Sequence, residues 1–218
     1  MRTRIKICGL TREADVVAAA TSGADAVGFN CYPKSPRYVM PARLRVLAGA
    51  VTPFVTPVLL FVNASADLVE DAIASVPDAM LQFHGDEPEA ACSRYGRPYL
   101  RAVHMAEGVD LLDWQARYPS AVALLADTPS AASGVYGGSG RSFDWSRAAT
   151  PPGMLIRPLI LAGGLTAASV GEAIARIRPY AVDVSSSVEE SPGHKSAARI
   201  NEFIAAVRAA DEALSITA

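Results

Sequence analysis

Short apolar runs alternate along the chain with longer stretches in which apolar residues recur every three or four positions. Runs rich in β-branched side chains predict buried strands, and the longer period predicts amphipathic helices. Strands are predicted over residues 4–8, 26–29, 55–61, 79–82, 99–103, 122–126, 158–162 and 181–184. Helices are predicted between them, for example over residues 12–22, 66–75, 87–95, 109–117, 167–176 and 196–213.

This alternation is typical of βαβ units around a parallel sheet. Fitting that many units into 218 residues predicts a compact (β/α)₈ TIM barrel, with residues 1–218 as a single domain. A doubly wound open sheet is the alternative, but it would place a glycine-rich phosphate turn after its first strand. Here the small-residue turns follow the seventh and eighth strands, which favours the barrel.

Composition narrows the class of protein further. Half of the residues are hydrophobic and 19% are charged, which argues against a disordered chain. The net charge is −2 and the basic residues are scattered, so we expect no nucleic-acid partner. A small anionic ligand remains compatible, because its site needs only a few local donors.

The cysteines and the apolar runs bear on location. Cys8, Cys31 and Cys92 have no paired spacing, so we expect neither a disulfide framework nor a metal site. Such cysteine usage favours a reducing compartment. Residues 1–8 carry charge without the apolar region of a signal peptide, and no apolar run is long enough to span a membrane. The sequence therefore predicts a cytoplasmic protein without a membrane partner.

Candidate chemistry begins at the first strand, since barrel active sites lie at the C-terminal ends of the strands. Lys6 and Cys8 share one face of that strand. A neighbouring cation lowers the pKa of a thiol and makes Cys8 a candidate base or nucleophile. The alternative is a buried cysteine that packs as a small apolar residue.

Polar residues also follow the second and fourth strands. Arg37 lies in a loop stiffened by two prolines, and its guanidinium suits a ligand carboxylate; a solvated arginine is the alternative. His84 ends the fourth strand, where it either donates to a ligand or is a satisfied core histidine. Asp86 or Glu87, which come next, are expected to cap the following helix.

The sixth strand ends in Asp127 after an apolar run. Partial desolvation there is expected to raise the pKa of this carboxyl and suit it to donating a proton. A helix cap is the alternative, although no helix is predicted directly after it. The glycine-rich segment 137–140 that follows is expected to form a loop able to cover a ligand.

The turns after the last two strands predict a phosphate site. Gly163 and Gly164 follow the seventh strand, and Ser185, Ser186 and Ser187 follow the eighth. Small residues let backbone N–H groups approach an anion, and these two loops form the common phosphate site of barrels. Two tight turns without a ligand are the alternative.

Taken together, these motifs resemble the phosphoribosylanthranilate isomerase family of the tryptophan pathway. The resemblance extends over nearly the whole chain in the family's order. The segments that carry it are residues 6–11, 23–29, 32–38, 61–63, 81–87, 137–140 with 143–145, 161–166 and 182–186. Each segment is modest evidence, but their shared order is specific.

The resemblance implies an Amadori rearrangement of a phosphorylated aminosugar, N-(5-phosphoribosyl)anthranilate, to the 1-amino-1-deoxyketose. By this resemblance Asp127 protonates the ring oxygen and Cys8 removes the proton from the sugar C2. Arg37 holds the anthranilate carboxylate, while His84 and Asp183 line the pocket. The turns at 163–164 and 185–187 hold the phosphate. No metal or redox cofactor is expected, because imine formation already makes the C2 proton acidic.

The chain departs from the family's usual pattern at a few positions. Ser187 occupies a position that is usually glycine, and a positive φ there would cost roughly 1 kcal/mol. Asn30 and Cys31 replace bulkier apolar residues, and Ser196 follows Lys195 in place of aspartate. The strand before Asp127 also reads Leu-Leu-Ala. These departures concern affinity for the substrate more than the chemistry.

Two other functions remain open from the sequence. The sister aminoaldose isomerase of histidine biosynthesis resembles this family in fold and reaction, but has an aspartate where this chain has Cys8, and its substrate carries two phosphates. A non-catalytic sugar-phosphate binder would need neither Cys8 nor Asp127. The sequence leaves the assembly open between a monomer and a homodimer.

Overall fold

The structure is a computed structural model that describes residues 2–129, 144–150 and 153–216. Within them, parallel strands β1 to β8 form a closed barrel in chain order, because β1 pairs with both β2 and β8. The predicted TIM barrel is confirmed. The strands are β1 (Arg4–Cys8), β2 (Ala26–Asn30), β3 (Thr56–Phe61), β4 (Met80–Phe83), β5 (Tyr99–His104), β6 (Ala123–Asp127), β7 (Leu159–Leu161) and β8 (Ala181–Val184).

Helices surround the barrel. The α-helices are α1 (Glu13–Thr21), α2 (Pro41–Gly49), α3 (Ala66–Ser75), α4 (Glu89–Ser93), α5 (Leu111–Arg117), α6 (Val170–Ile177) and α7 (Ala197–Ile216). Two 3₁₀ helices, η1 (Trp145–Ala148) and η2 (Ser186–Val188), and a small hairpin of β9 (Glu189–Ser191) and β10 (His194–Lys195) complete the described elements. Helix α2 was not among the predicted helices; it begins with Pro41 and buries Leu44 and Leu47. No helix in the described residues is long and apolar enough to cross a membrane.

Strand alternation divides the apolar core in two. Ile5 and Ile7 of β1 point outwards and pack beneath the helices, whereas Lys6 and Cys8 point into the barrel. The interior is filled by a separate cluster of small and branched side chains: Val58, Leu100, Ala102, Ala123, Leu125, Ile160, Ala162 and Ala181. This interior packing closes the barrel from below, so the inward residues at the strand ends form the floor of a site.

The loop between β4 and α4 differs from its prediction. Pro88 precedes α4, and no side chain caps this helix, so the expected caps by Asp86 or Glu87 are wrong. Glu87 is instead buried and accepts a hydrogen bond of 3.0 Å from Arg101 of β5. It also accepts from the backbone N–H groups at positions 63 and 85. A buried carboxylate needs such partners, and here they fix the loop that begins with His84.

Candidate active site

The predicted acid–base residues lie at one end of the barrel. Cys8 is the last residue of β1, Asp127 is the last residue of β6, and Asp183 points inward from β8. Their exposed fractions are 7%, 6% and 8%. Because the strands are parallel, their C-terminal ends meet at a single rim. The structure therefore brings these three groups to the same interior surface, where the charge of Asp183 is coupled to both Cys8 and Asp127.

We call Lys6, Cys8 and Asp183 the thiol side of the site. The β1–β8 register places Lys6 opposite Asp183, and Lys6 Nζ donates to Asp183 Oδ2 at 2.9 Å. Gly28 of β2 lies opposite Cys8. A Cβ at Gly28 would lie 2.7 Å from Cys8 Sγ and 3.2 Å from Lys6 Nζ. The thiol and the ammonium therefore occupy space that only glycine leaves open.

The pKa of the Cys8 thiol differs from the prediction. Burial raises it, and the neighbouring Lys6 lowers it by charge and hydrogen bonding, but the net pKa stays above the ordinary value. The expected cation effect is present and is outweighed by desolvation. Lys6 itself remains charged, because the Asp183 carboxylate offsets its own burial and raises its pKa.

We call Gln82, His84 and Asp127 the carboxyl side. His84 Nε2 lies 3.0 Å from Asp127 Oδ2, and Gln82 Nε2 lies 3.1 Å from His84 Nδ1. The backbone N–H of Thr128 donates to Asp127 Oδ1 at 2.8 Å. Burial raises the pKa of Asp127, but the hydrogen bonds from His84 and the Thr128 N–H lower it overall. The predicted raised pKa is wrong, because hydrogen bonds to the ionised form outweigh desolvation.

Arg37 is buried rather than solvated. Its Nε and Nη2 donate to Glu189 at 2.8 and 2.7 Å, a bidentate pair at the base of the β9–β10 hairpin. Burial raises the pKa of Glu189, and the hydrogen bonds from Arg37 and Lys195 lower it overall. The Arg37 guanidinium thus already binds the carboxylate of Glu189. A ligand carboxylate would bind to the same guanidinium alongside Glu189.

The two turns predicted to bind phosphate are joined to each other. Gly163 and Gly164 have φ values of 81° and 67°, which the turn after β7 requires and which favour glycine. The Ser187 hydroxyl donates to Leu165 O at 2.6 Å. Ser187 lies in η2 without a positive φ, so the strain expected for a serine at this position is absent. Its hydroxyl instead connects the turn after β8 to the turn after β7.

The turn after β8 also contacts the thiol side. Ser185 donates through its hydroxyl to Cys8 O at 3.0 Å, and Ser186 begins η2. Lys195 Nζ donates to Ser185 O at 3.0 Å and to Glu189 Oε1 at 2.8 Å. Burial lowers the pKa of Lys195. A buried cation therefore lies directly beneath the second predicted phosphate turn.

Sequence reasoning missed four residues that shape this site. Gln82, Glu189 and Lys195 are buried polar groups, and Gly28 is a close-approach glycine. Gln82 and Gly28 lie inside the segments that carry the family resemblance. The sequence therefore marked these positions, but it gave no physical role for either residue. Glu189 and Lys195 are polar and close to a turn, and nothing in their spacing distinguishes them from solvated residues.

Two other expectations concern ligands. The glycine-rich segment 137–140, expected to cover a ligand, lies outside the described residues. In the parts of the chain that the structure does describe, no group of three or more His, Cys, Asp and Glu side chains could hold a metal ion. The polar groups gathered at the rim are instead acids, bases and hydrogen-bond donors.

A closed parallel barrel with polar side chains gathered at its C-terminal rim is the arrangement of the (β/α)₈ barrel enzymes. The family model for N-(5'phosphoribosyl)anthranilate (PRA) isomerase matches residues 5–206. The N-(5'-phosphoribosyl)anthranilate isomerase of Methylibium petroleiphilum is 54% identical over 211 residues, which cover 97% of this chain and 96% of that protein. The chain belongs to the N-(5'-phosphoribosyl)anthranilate isomerase family.

Solved structures agree. Phosphoribosyl anthranilate isomerase from Thermotoga maritima superposes with a TM-score of 0.84 at 37% identity, covering 95% of this chain and 99% of that one. A structure of a phosphoribosyl anthranilate isomerase in complex with reduced 1-(o-carboxyphenylamino)-1-deoxyribulose 5-phosphate has a TM-score of 0.77 at 34% identity, with the same coverage. Monomers generated from the dimeric Thermotoga maritima enzyme match with a TM-score of 0.76 at 33% identity, again over 95% and 99% of the two chains.

Proposed function

We propose that this chain isomerises N-(5'-phosphoribosyl)anthranilate in tryptophan biosynthesis, with Cys8 as general base and Asp127 as general acid. The observation that carries the assignment of roles is their placement. Both side chains are buried at strand ends on one rim of the barrel, one beside an ammonium group and the other beside an imidazole. The family's isomerase activity supplies the reaction that needs such a pair.

Ring opening is the first step. Asp127 gives a proton to the furanose ring oxygen while the bond between C1 and that oxygen breaks. The lone pair of the anthranilate nitrogen forms the C1=N bond and leaves an iminium. The hydrogen bonds from His84 and Thr128 stabilise the carboxylate that remains on Asp127, which makes this carboxyl a stronger acid.

Proton removal from C2 follows. The Cys8 thiolate takes this proton, and the electron pair moves through C1 to neutralise the iminium, which yields an enolamine. Transfer of a proton to C1 and loss of the C2 hydroxyl proton then give the ketose. Lys6 favours the thiolate that this step requires, because its charge and its hydrogen bond lower the thiol pKa against the effect of burial.

The ends of the substrate are held by separate groups. We assign the anthranilate carboxylate to Arg37 and the phosphate to the backbone of Gly163, Gly164 and positions 185–187, with His84 and Asp183 lining the pocket between. The ligand of the phosphoribosyl anthranilate isomerase complex carries a carboxyphenyl group and a phosphate, the two anions this arrangement suits. Because Arg37 binds ground and transition states alike, Arg37→Met should raise KM about tenfold or more and change kcat little. In this variant Glu189 keeps its ion pair with Lys195, so its carboxylate is not left as a buried unpaired charge.

We further infer that a phosphorylated aminosugar is the only partner required, that residues 1–218 act as one domain in the cytoplasm, and that nucleic acid is not bound. The assembly is a monomer or a homodimer, and the dimeric relative makes both worth testing. Sedimentation equilibrium distinguishes them. A dimer would appear as a doubled mass that falls to the monomer value on dilution.

Assay of the purified protein with both aminoaldoses tests the proposal. We expect turnover of N-(5'-phosphoribosyl)anthranilate and restoration of tryptophan-independent growth in a strain that lacks this step. Turnover of only the histidine-pathway aminoaldose would favour the sister isomerase. Tight sugar-phosphate binding without turnover of either would favour the non-catalytic binder.

A further inference from the structure

Gln82 is a fully buried amide with an unexplained position. It lies on β4, two residues before His84, and its exposed fraction is 0%. Its Nε2 lies 3.1 Å from His84 Nδ1, while its Oε1 has no hydrogen-bond partner within the described residues. A buried carbonyl without a partner costs free energy. Stability alone therefore does not explain an amide here, whereas its contact with His84 does.

The neighbours of His84 on either side require the same tautomer. The Asp127 carboxylate can only accept, so the Nε2 that faces it has to carry the proton. The amide nitrogen of Gln82 can only donate, so the Nδ1 that faces it has to be the lone pair. Among the described residues, Gln82 alone lies within hydrogen-bond distance of Nδ1. Its amide is thus the group that selects the tautomer from the far side of the ring.

We propose that Gln82 is a positioning residue that holds His84 in the Nε2–H tautomer, so that His84 donates to Asp127 and cannot take its proton. The proposal rests on the proposed role of Asp127 as general acid. In the opposite tautomer, the Nε2 lone pair would face the carboxyl. Imidazole is a stronger base than a carboxylate. It would therefore withdraw the proton that ring opening needs, whereas Nε2–H stabilises the carboxylate left after that proton has moved to the ring oxygen.

Other charged or titratable groups face the pair from neighbouring strands. His104 of β5 packs edge-on against the His84 ring, with 5.2 Å between centroids, and its Nε2 lies 3.0 Å from His84 O. Burial lowers the pKa of His104. Asp183 of β8, itself paired with Lys6 of β1, is electrostatically coupled to both His84 and Asp127. His104 contacts the His84 ring and its backbone carbonyl, Asp183 acts through its charge, and the hydrogen bond to Nδ1 comes from Gln82.

Imidazole ¹⁵N NMR reads the tautomer directly and does not depend on activity. The chain has three histidines, so His104→Asn and His194→Asn assign the His84 resonances. In the wild type we expect a protonated Nε2 and an unprotonated Nδ1 near neutral pH. In Gln82→Glu the new carboxylate accepts from the ring as Asp127 does, so Nδ1 should become protonated as well as Nε2. In Gln82→Met the amide donor is lost and only Asp127 still favours Nε2–H, so the population of the Nδ1–H tautomer should rise above that of the wild type.

Kinetics then link the tautomer to the reaction. We expect Gln82→Glu to lower kcat about 10²-fold and Gln82→Met about 10-fold, each with KM little changed, because only proton transfer is affected. Gln82→Met removes the unpartnered carbonyl, so its Tm should equal or exceed that of the wild type. Met80→Leu, one inward position earlier on the same strand, is the matched control and should change neither the tautomer nor kcat.

The outcomes separate the two proposals. An Nδ1–H tautomer in the wild type would overturn the role of Gln82, and so would a fall in kcat without any change in the His84 resonances. Should Gln82→Glu fail to fold, the spectrum and kcat of Gln82→Met carry the same test. Full activity in Asp127→Asn would instead remove the proposed acid while leaving the measured tautomer intact.

Discussion

The thiol side and the carboxyl side are buried to a similar degree. The pKa of Cys8 is nevertheless raised, whereas the pKa of Asp127 is lowered. On the thiol side, burial raises the pKa of Cys8 more than Lys6 lowers it. On the carboxyl side, burial also raises the pKa of Asp127, but donors at both oxygens lower it below its ordinary value. Burial of a group is therefore a poor guide to its charge, because the partners of the ionised form decide the direction.

A difference in the partners explains this contrast. The ammonium of Lys6 already forms an ion pair with Asp183, and the charge of that carboxylate also raises the thiol pKa. Asp127 instead accepts a hydrogen bond at each oxygen, one from the Thr128 backbone and one from the His84 ring. At neutral pH, the resting site thus holds a neutral thiol and an ionised carboxyl, the reverse of the forms with which the proposed reaction starts. Binding of the substrate has to favour the reactive arrangement.

Removing either group gives the largest expected effect. Cys8→Ala and Asp127→Asn should each lower kcat by ~10²-fold or more, since each deletes one proton transfer, while binding of a product analogue changes little. Steady-state kinetics with equilibrium binding measure both quantities. Cys92→Ala, at a buried thiol away from the site, is the control. Unchanged kcat in both active-site variants would contradict the assigned roles.

Lys6→Met removes the ammonium group that pairs with Asp183 and lowers the pKa of Cys8. The thiol pKa should rise further, so alkylation of Cys8 should shift to higher pH and kcat should fall about tenfold. The free energy of unfolding should fall by about 3 kcal/mol, because Asp183 is left as a buried unpaired charge. Adding Asp183→Asn should restore much of the stability without restoring kcat. If the double variant regained activity, Lys6 would be a purely structural residue.

Cys31 is a second buried thiol that can be compared with Cys8. The cause of its raised pKa is burial, whereas charged neighbours also affect the pKa of Cys8. Burial raises the pKa of Cys31 to about 12. Below the unfolded thiol pKa both states are neutral, so stability is unaffected there. Above it the unfolded chain ionises and the folded chain does not, so stability is lost as pH rises towards 12. Replacing the thiol by Cys31→Val should lessen this loss by about 1 kcal/mol per pH unit above pH ~9, measured by urea unfolding. An unchanged slope would mean that the thiol is accessible to solvent.

Ser187→Ala should have the smallest effect and leave both sides of the site intact. Loss of its hydrogen bond to Leu165 O loosens the connection between the two phosphate turns. A hydrogen bond is worth about 1 kcal/mol, which corresponds to a rise in KM of about fivefold at constant kcat. Ser187→Gly should behave similarly, since no positive φ is relieved. An improved KM in the glycine variant would contradict this account of the turn.

The strand pattern and the order of motifs were readable without coordinates. Apolar runs predicted every barrel strand, and α3 begins and ends at its predicted residues. Both predictions succeed because buried positions are occupied by apolar residues at the spacing of the strand or the helix. Cys8 was a candidate because it ends a strand on the same face as Lys6, and Asp127 because it is a charged residue that closes an apolar run. Helix α2 was not predicted, since Leu44 and Leu47 are its buried residues and its apolar face is short.

The hydrogen-bonded and ion-paired side chains that meet across the barrel could not be predicted from the sequence. Lys6 and Asp183 are 177 positions apart, Arg37 and Glu189 are 152 apart, and His84 and Asp127 are 43 apart. No local pattern specifies such pairs, and they form only when the strands close. The cap expected from Glu87 failed for the same reason, because its true partner, Arg101, comes from the next strand.

The sequence by itself determined the barrel, the candidate acid–base side chains and the rim on which they meet, because those follow from residue types and strand order. Only the tertiary structure decided the charge that each reactive group carries. A pKa depends on the distances to a few donors and charges, and the closing of the barrel sets those distances.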